Sequence, residues 1–413
     1  MNTQSSSKNK YLLLITVLMY VAFGLVTAVI GVIIDKFQVE YNVSLEVAAL
    51  LPFAFYLAYG LCSIPFGIAM DRMGARFVLL LGMVLMTLGS FLFYISDNYI
   101  VVILMIFMIG VGVTAIQVAG NPFIRELDAP SRYTANLTTV IGIGALGYAI
   151  SPLLVPLIEL NGFSWNFVYL IFGIINGVLL VLLFLVKFPE VHILEEEKIR
   201  ASKIVSLLKN PIIIAYSVGI FLYVGAEVGT SSYILIFMNK IHGIGYQDSF
   251  WSSGNFWYTI FPSKSALVVA LFWLFQAVGR IIIAWMMRYV SEKKIFVFHS
   301  FGTVIFLLIA SFGDATISLI SFALVGYFTC ASFTSIFSAA INSFDSNHGT
   351  ISGILGTAIV GGAFLGWLVG VVGSLLNMQW AMMINVLAFL YVFVLAGWGK
   401  GKLNFGKEEG NIA

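Results

Sequence analysis

The sequence predicts an all-α integral membrane protein, with twelve transmembrane helices arranged as two pseudo-symmetric halves of six. Three observations carry that prediction. First, apolar residues make up 60% of the 413 and charged residues only 10%, against about 25% charged in an ordinary soluble protein. A chain this long and apolar cannot hide its apolar surface in one soluble core. Second, twelve segments approach the ~20 residues that a spanning helix needs. Third, the most charged stretch of the chain falls between the sixth and the seventh of them.

The segments run approximately over 11–34, 46–70, 77–95, 99–124, 133–158, 164–187, 211–237, 265–288, 294–311, 315–341, 350–376 and 379–398. The ten-residue alternating strands of a membrane barrel do not occur, so helices are the expected form. The first segment is too long for the apolar region of a signal peptide and reads as a retained span. Residues 1–187 then form an N-terminal half, 188–210 a cytoplasmic linker, 211–398 a C-terminal half and 399–413 a cytoplasmic tail. Cys62 and Cys330 lie in apolar segments and read as free thiols packed as small side chains.

Twelve spans place both termini on one side. With that side inside, the inner loops and tails hold seventeen of the 21 Lys and Arg residues, the outer loops only Lys36, Lys240 and Lys264, and Arg280 stays within a span. The positive-inside rule therefore predicts cytoplasmic termini in a bacterial cytoplasmic membrane. The net charge of +2 gives no argument for nucleic acid.

The halves echo each other. AFYLAYGLCSIPFGIAMDRMGAR, ending span 2, aligns without gaps with LFWLFQAVGRIIIAWMMRYVSEK, ending span 8, and YVAFG at Tyr20 echoes YVGAE at Tyr223. Two duplicated six-helix halves place a binding site at their interface near mid-membrane, served by rocking of the halves. The loop between spans 2 and 3 reads GIAMDRMGAR, with Gly67, Asp71, Arg72, Gly74 and Arg76. Its glycines allow a tight turn and close helix approach, and Asp71 can accept hydrogen bonds from a helix N-terminus or from Arg125.

That loop resembles the signature G-x-x-x-D-R-x-G-x-R of the major facilitator superfamily, and the twelve spans and long middle loop extend the resemblance over the whole chain. It implies the major facilitator fold and a gating role for Gly67, Asp71, Arg72, Gly74, Arg76 and Arg125. IQVAGNPFIRELDAPSRYTANLTT (Ile116 to Thr139) and YVGAEVGTSSY (Tyr223 to Tyr233) resemble a narrower group, the fucose permease family with its glucose, galactose and N-acetylglucosamine branch. Members of that family carry sugars with protons or sodium. This chain departs from the pattern at three places. Ile30 and Gly31 stand where span 1 of that family carries an Asn-Asp pair, Gln117 stands where the fucose branch has an acid in span 4, and Thr139 replaces a glutamine in span 5.

The polar residues inside the spans supply the candidate site. Glu227 is the only acid deep within a span, about 16 residues or 24 Å from the inner end of span 7. An ionised side chain at that depth costs at least about 2.5–3.5 kcal/mol. A carboxyl there can pick up and release a proton as access alternates, or accept from a substrate hydroxyl; a purely structural glutamate tied to Tyr223 is the competing reading. Tyr223 and Ser231 share its helical face. Trp273 and Gln276 on span 8 suit sugar recognition, offering a ring to stack on and an amide to hydrogen-bond. Gln117 with Asn121 and Asn136 with Thr139 share faces on spans 4 and 5, as cavity lining or as interhelical ties. Arg280 lies about 12 Å from the inner end of span 8, too shallow for a standing pair with Glu227. Its side chain can reach toward the inner membrane surface, and the resemblance to the major facilitator superfamily implies an inner-gate charge for the Gly-Arg at this place. The aromatic loop 239–264 reads as an interfacial belt or as a lid.

No phosphate-binding loop, metal-ligand spacing or nucleophile–base arrangement appears, so neither an enzyme nor a cofactor is expected. The expectation is a monomeric secondary transporter, importing a neutral monosaccharide or similar polyhydroxy solute with a cation, proton ahead of sodium. Two alternatives remain open: efflux or facilitated diffusion of an amphipathic or cationic compound, and a non-transporting membrane sensor.

Overall fold

The computed structural model describes residues 3–127, 133–186, 188, 209–287, 289–343 and 354–397. Among them are twelve helices long and apolar enough to cross a membrane. We name them α1 (Tyr11–Tyr41), α2 (Leu45–Met70), α3 (Ala75–Tyr94), α4 (Tyr99–Asn121), α5 (Val140–Leu160), α6 (Phe167–Leu185), α7 (Pro211–Ser231), α8 (Lys264–Ile283), α9 (Glu292–Phe312), α10 (Ala315–Phe337), α11 (Ile354–Leu375) and α12 (Met378–Gly397). No strand occurs among the described residues. Because the number of spans is even, α1 begins and α12 ends at one face of the bundle, here called the terminal face. The other is the distal face.

Within the first half α1 packs on α5, α3 on α4 and α6, and α2 on α4; within the second, α7 packs on α11 and α12, and α10 on α8 and α9. The halves meet along α5 with α8, α2 with α11, and α1 with the helix that follows α7. The α5 glycines serve the first half: a Cβ at Gly147 would stand 2.1 Å from the Val21 carbonyl oxygen of α1. Those of α11 serve both halves, with Gly361 against the Phe221 backbone and Gly362 against the Tyr56 ring.

Two spans are broken. After α7 the backbone turns at Ser232 and Tyr233, and a second helix runs Ile234–His242. α10 is helical over Ala315–Thr329 and again over Ser332–Asn342. Neither break contains proline; both lie in apolar sequence that reads as continuous helix. α1 also runs on to Tyr41 rather than ending near Ile34. Its charged extension is accommodated because Lys36 Nζ pairs with Glu159 of α5 at 2.8 Å and stands 4.0 Å from the Tyr246 ring centroid.

The halves are closed together toward the distal face. A Cβ at Gly31 would meet the Ser232 Cα at 2.7 Å, and one at Gly370 would meet the Ala49 Cβ at 2.4 Å. Phe53 of α2 packs edge-on against Phe364 and Trp367 of α11, with ring centroids 5.6 and 6.4 Å apart. Toward the terminal face, Gly67 of α2, Gly142 of α5 and Gly356 of α11 have nothing within 4 Å of such a Cβ among the described residues. Among the described residues, the close contacts between the halves are thus at the distal face.

Candidate functional site

Glu227 lies about one turn before the break that ends α7 and is half-buried. Its Oε1 accepts from the Tyr223 hydroxyl at 2.5 Å and from Gln276 Nε2 of α8. Tyr223 and Gln276 are 1% exposed. The Tyr223 hydroxyl also lies 3.2 Å from the Thr329 carbonyl oxygen, and Gln276 Nε2 lies 3.4 Å from the Thr329 hydroxyl. Thr329 ends the first part of α10, so the break frees a carbonyl that Tyr223 can reach. Irregular backbone at membrane depth is tolerated where protein groups satisfy it in this way. Donors from α7 and α8 thus converge on one carboxylate oxygen, and Thr329 of α10 lies against both donors, while no hydrogen bond to Glu227 Oε2 is found among the described residues. Replacing Tyr223 by Phe removes a donor from that network and unsettles the Thr329 carbonyl. A loss of about 1–3 kcal/mol of stability is expected, read as a lowered melting midpoint in detergent.

Arg280 of α8 makes no ion pair with Glu227 among the described residues. Its guanidinium charge nevertheless acts on Glu227, Tyr223 and Tyr148. Its Nε is buried without a hydrogen-bond partner. The side chain therefore belongs to the surroundings of the carboxylate. Trp273, one turn along α8 from Gln276, is 6% exposed with its Nε1 likewise buried and unpartnered. Its ring lies 4.6 Å, centroid to centroid, from that of Tyr148 on α5, so the two halves touch there.

Gln117 and Asn121 are half-buried on α4. Each accepts from a tyrosine of another helix: Tyr59 donates to Gln117 Oε1 at 2.7 Å and Tyr20 to Asn121 Oδ1 at 2.5 Å. They are interhelical ties whose amide nitrogens remain open. The side chains of Asn136, Thr139, Asp71, Arg72 and Arg125 lie outside the described residues. In the loop between α2 and α3, Gly74 holds a φ of +82°, which glycine adopts without strain, and its N–H bonds the Met70 carbonyl at 2.8 Å. Arg76 is exposed and bonds the Phe184 carbonyl oxygen of α6 at 3.2 Å. Ser231 turns away from Glu227 toward the Val228 carbonyl, 3.5 Å away.

Sequence reasoning missed the tyrosines. Tyr56 and Tyr59 of α2 stack with centroids 6.0 Å apart and planes at 22°. Tyr20 and Tyr148 continue the aromatic cluster of the first half through Phe23, and Tyr148 meets Trp273 of the second. The i, i+3 spacing of Tyr56 and Tyr59 on one helical face was the available signal. Gly31 was seen only as a departure from a pattern. In the structure, a side chain there has no room against the Ser232 backbone.

Comparison with known proteins agrees with this architecture. Residues 12–262 match the family model of the Major Facilitator Superfamily. The chain is a member of the major facilitator superfamily, a class of membrane transporters rather than enzymes. It is 26% identical over 407 residues, 95% of each chain, to a glucose/galactose transporter of Brucella abortus. It is 25% identical over 402 residues to a putative glucose/galactose transporter of Helicobacter pylori, covering 92% of this chain and 94% of that one. Its fold superposes on the Escherichia coli fucose:proton symporter FucP with a TM-score of 0.65 at 20% identity, covering 94% of this chain and 98% of that one.

Proposed function

We propose that the protein imports a neutral monosaccharide, or a similar polyhydroxy solute, together with a proton by alternating access. The observation that carries this reading is the half-buried carboxylate of Glu227, held on one oxygen by Tyr223 and Gln276 and without a hydrogen bond on the other among the described residues. A fixed and an open oxygen suit a group that must exchange a proton without losing its place. The open oxygen can also accept from a sugar hydroxyl. The open amide nitrogens of Gln117 and Asn121 supply donors on the opposite half, and Trp273 supplies a stacking face. Asn136 and Thr139 complete the proposed substrate set. The similarity to glucose/galactose transporters of Brucella abortus and Helicobacter pylori supports a hexose, and the similarity to a fucose:proton symporter supports the proton.

In this reading the protein is a monomer in the bacterial inner membrane, with the terminal face in the cytoplasm. Gly67, Asp71, Arg72, Gly74, Arg76, Arg125 and Arg280 then govern the change of access, and the half-bundles 1–187 and 211–398 are the moving units. The closed distal face is the outer one, so the conformation opens inward. Lys36, held by Glu159 and covered by the Tyr246 ring, helps to seal the outer side. A cation–π contact at a partly exposed site is worth about 0.5–1 kcal/mol. Tyr246→Ala should therefore shift the ratio of the inward-open to the outward-open state about two- to fivefold toward the latter, read by accessibility labelling from the outside. Uptake of labelled glucose, galactose and fucose into proteoliposomes under an imposed inward proton gradient tests the main reading. Concentrative uptake of at least one is expected; none, with lipophilic cations carried instead, would reverse the assignment.

A further inference from the structure

The roles proposed so far leave Tyr148 without one, yet it occupies the one place where an aromatic ring of one half lies on the proposed stacking face of the other. The inference below rests on the sugar reading of the site.

The contact is direct. The rings of Tyr148 and Trp273 are tilted by 44° with centroids 4.6 Å apart, and no sugar ring fits between them at that separation. Trp273 is almost wholly buried, with its indole N–H lacking a partner. A buried donor without an acceptor is costly, by about the value of a lost hydrogen bond. The cost is relieved when an oxygen atom arrives. Tyr148 is only half-buried, so its ring is the one free to leave. Its seat is set by α1: the Phe23 ring meets it edge-on at 5.6 Å, and a Cβ at Gly24 would reach its Cδ2 at 2.7 Å. The seat therefore moves with the first half, while Trp273 moves with the second.

We propose that Tyr148 occupies the sugar's stacking position on Trp273 in the empty protein, and that the sugar binds by displacing it. The indole N–H then donates to a sugar oxygen, and the apolar face of the pyranose replaces the phenol ring. The occluding ring is a specificity-determining residue: only a ligand that both stacks and offers an acceptor to the indole repays its departure. It also seals the site from the distal side until that exchange occurs.

The test compares wild type with Tyr148→Ala, Tyr148→Leu and Tyr148→Phe, as full-length purified protein, by calorimetric titration with glucose and galactose and by uptake in proteoliposomes. An empty-state contact that must break before binding weakens the observed affinity. An aromatic pair of ordinary strength changes an equilibrium about two- to tenfold. Tyr148→Ala should therefore bind the sugar about two- to tenfold more tightly while losing accumulation through leak. Tyr148→Leu, which keeps bulk without a ring, should bind more tightly with less leak, and Tyr148→Phe should match wild type. A merely structural residue would not tighten binding when removed. Equal or weaker binding in both Ala and Leu variants, with wild type binding normally, would overturn this inference alone. Absence of sugar binding and uptake in wild type would overturn the sugar reading and this inference with it.

Discussion

Glu227→Gln should abolish concentrative uptake while leaving exchange of sugar across the membrane largely intact. The substitution is nearly isosteric. The glutamine carbonyl can still accept from Tyr223 and Gln276 at the Oε1 position, so the site keeps its shape. What it loses is the exchangeable proton. A carrier with a permanently neutral group at that position can move loaded in both directions, but it cannot draw on a proton gradient. Steady-state accumulation should fall from its driven value to equilibrium, a loss of at least tenfold under a two-unit pH gradient. Counterflow into preloaded vesicles should stay within about threefold of wild type. Loss of both activities, with a melting midpoint well below wild type, would make Glu227 a structural residue.

The second large effect is expected at Gly31. Any side chain there drives its Cβ to 2.7 Å from the Ser232 Cα, which is backbone and cannot rotate away. The contact exists only while the halves are closed on the distal side. Gly31→Val should therefore disfavour that conformation specifically. Overpacking of this kind costs about 1–3 kcal/mol, a shift of roughly 5- to 150-fold in the balance between the two accessible states. Turnover should fall at least tenfold, with substrate still bound from the distal side. Outside labelling of a cysteine placed at Ala49 should rise by a similar factor. Unchanged labelling would show that the Gly31 contact does not set the equilibrium. Gly31→Asp should behave in the same way. A carboxylate at that place on α1 is excluded in this conformation, which leaves Glu227 as the deep acid available for coupling.

Much of this was legible in the sequence. Twelve spans follow from hydropathy because a lipid-facing helix has no alternative way to satisfy its backbone. Glu227 stood out because a lone carboxylate in an apolar helix needs a reason. Gln276 and Tyr223 followed as residues that could share its depth or face. The tyrosines did not. A tyrosine in a span serves equally as core filler, interfacial anchor or site wall, and periodicity does not give the rotation of one helix against another. Tyr20, Tyr59 and Tyr148 acquire meaning only when α1, α2 and α5 are placed beside α4 and α8. The breaks at Ser232–Tyr233 and Cys330–Ala331 were also silent. No proline marks them, and at the second the Thr329 carbonyl lies 3.2 Å from the Tyr223 hydroxyl of another helix, which sequence spacing does not show. Arg280 was read as an inner-gate charge set apart from Glu227. Its influence on Glu227 depends on where a long side chain points, which sequence spacing leaves open.

The most direct test of coupled sugar and proton movement is the external pH of a lightly buffered, sodium-free suspension of proteoliposomes when sugar is added. The account predicts sugar-dependent alkalinisation outside that a protonophore collapses and that Glu227→Gln lacks. Sugar entry without any pH change, or entry that requires sodium and is unaffected by Glu227→Gln, would contradict it.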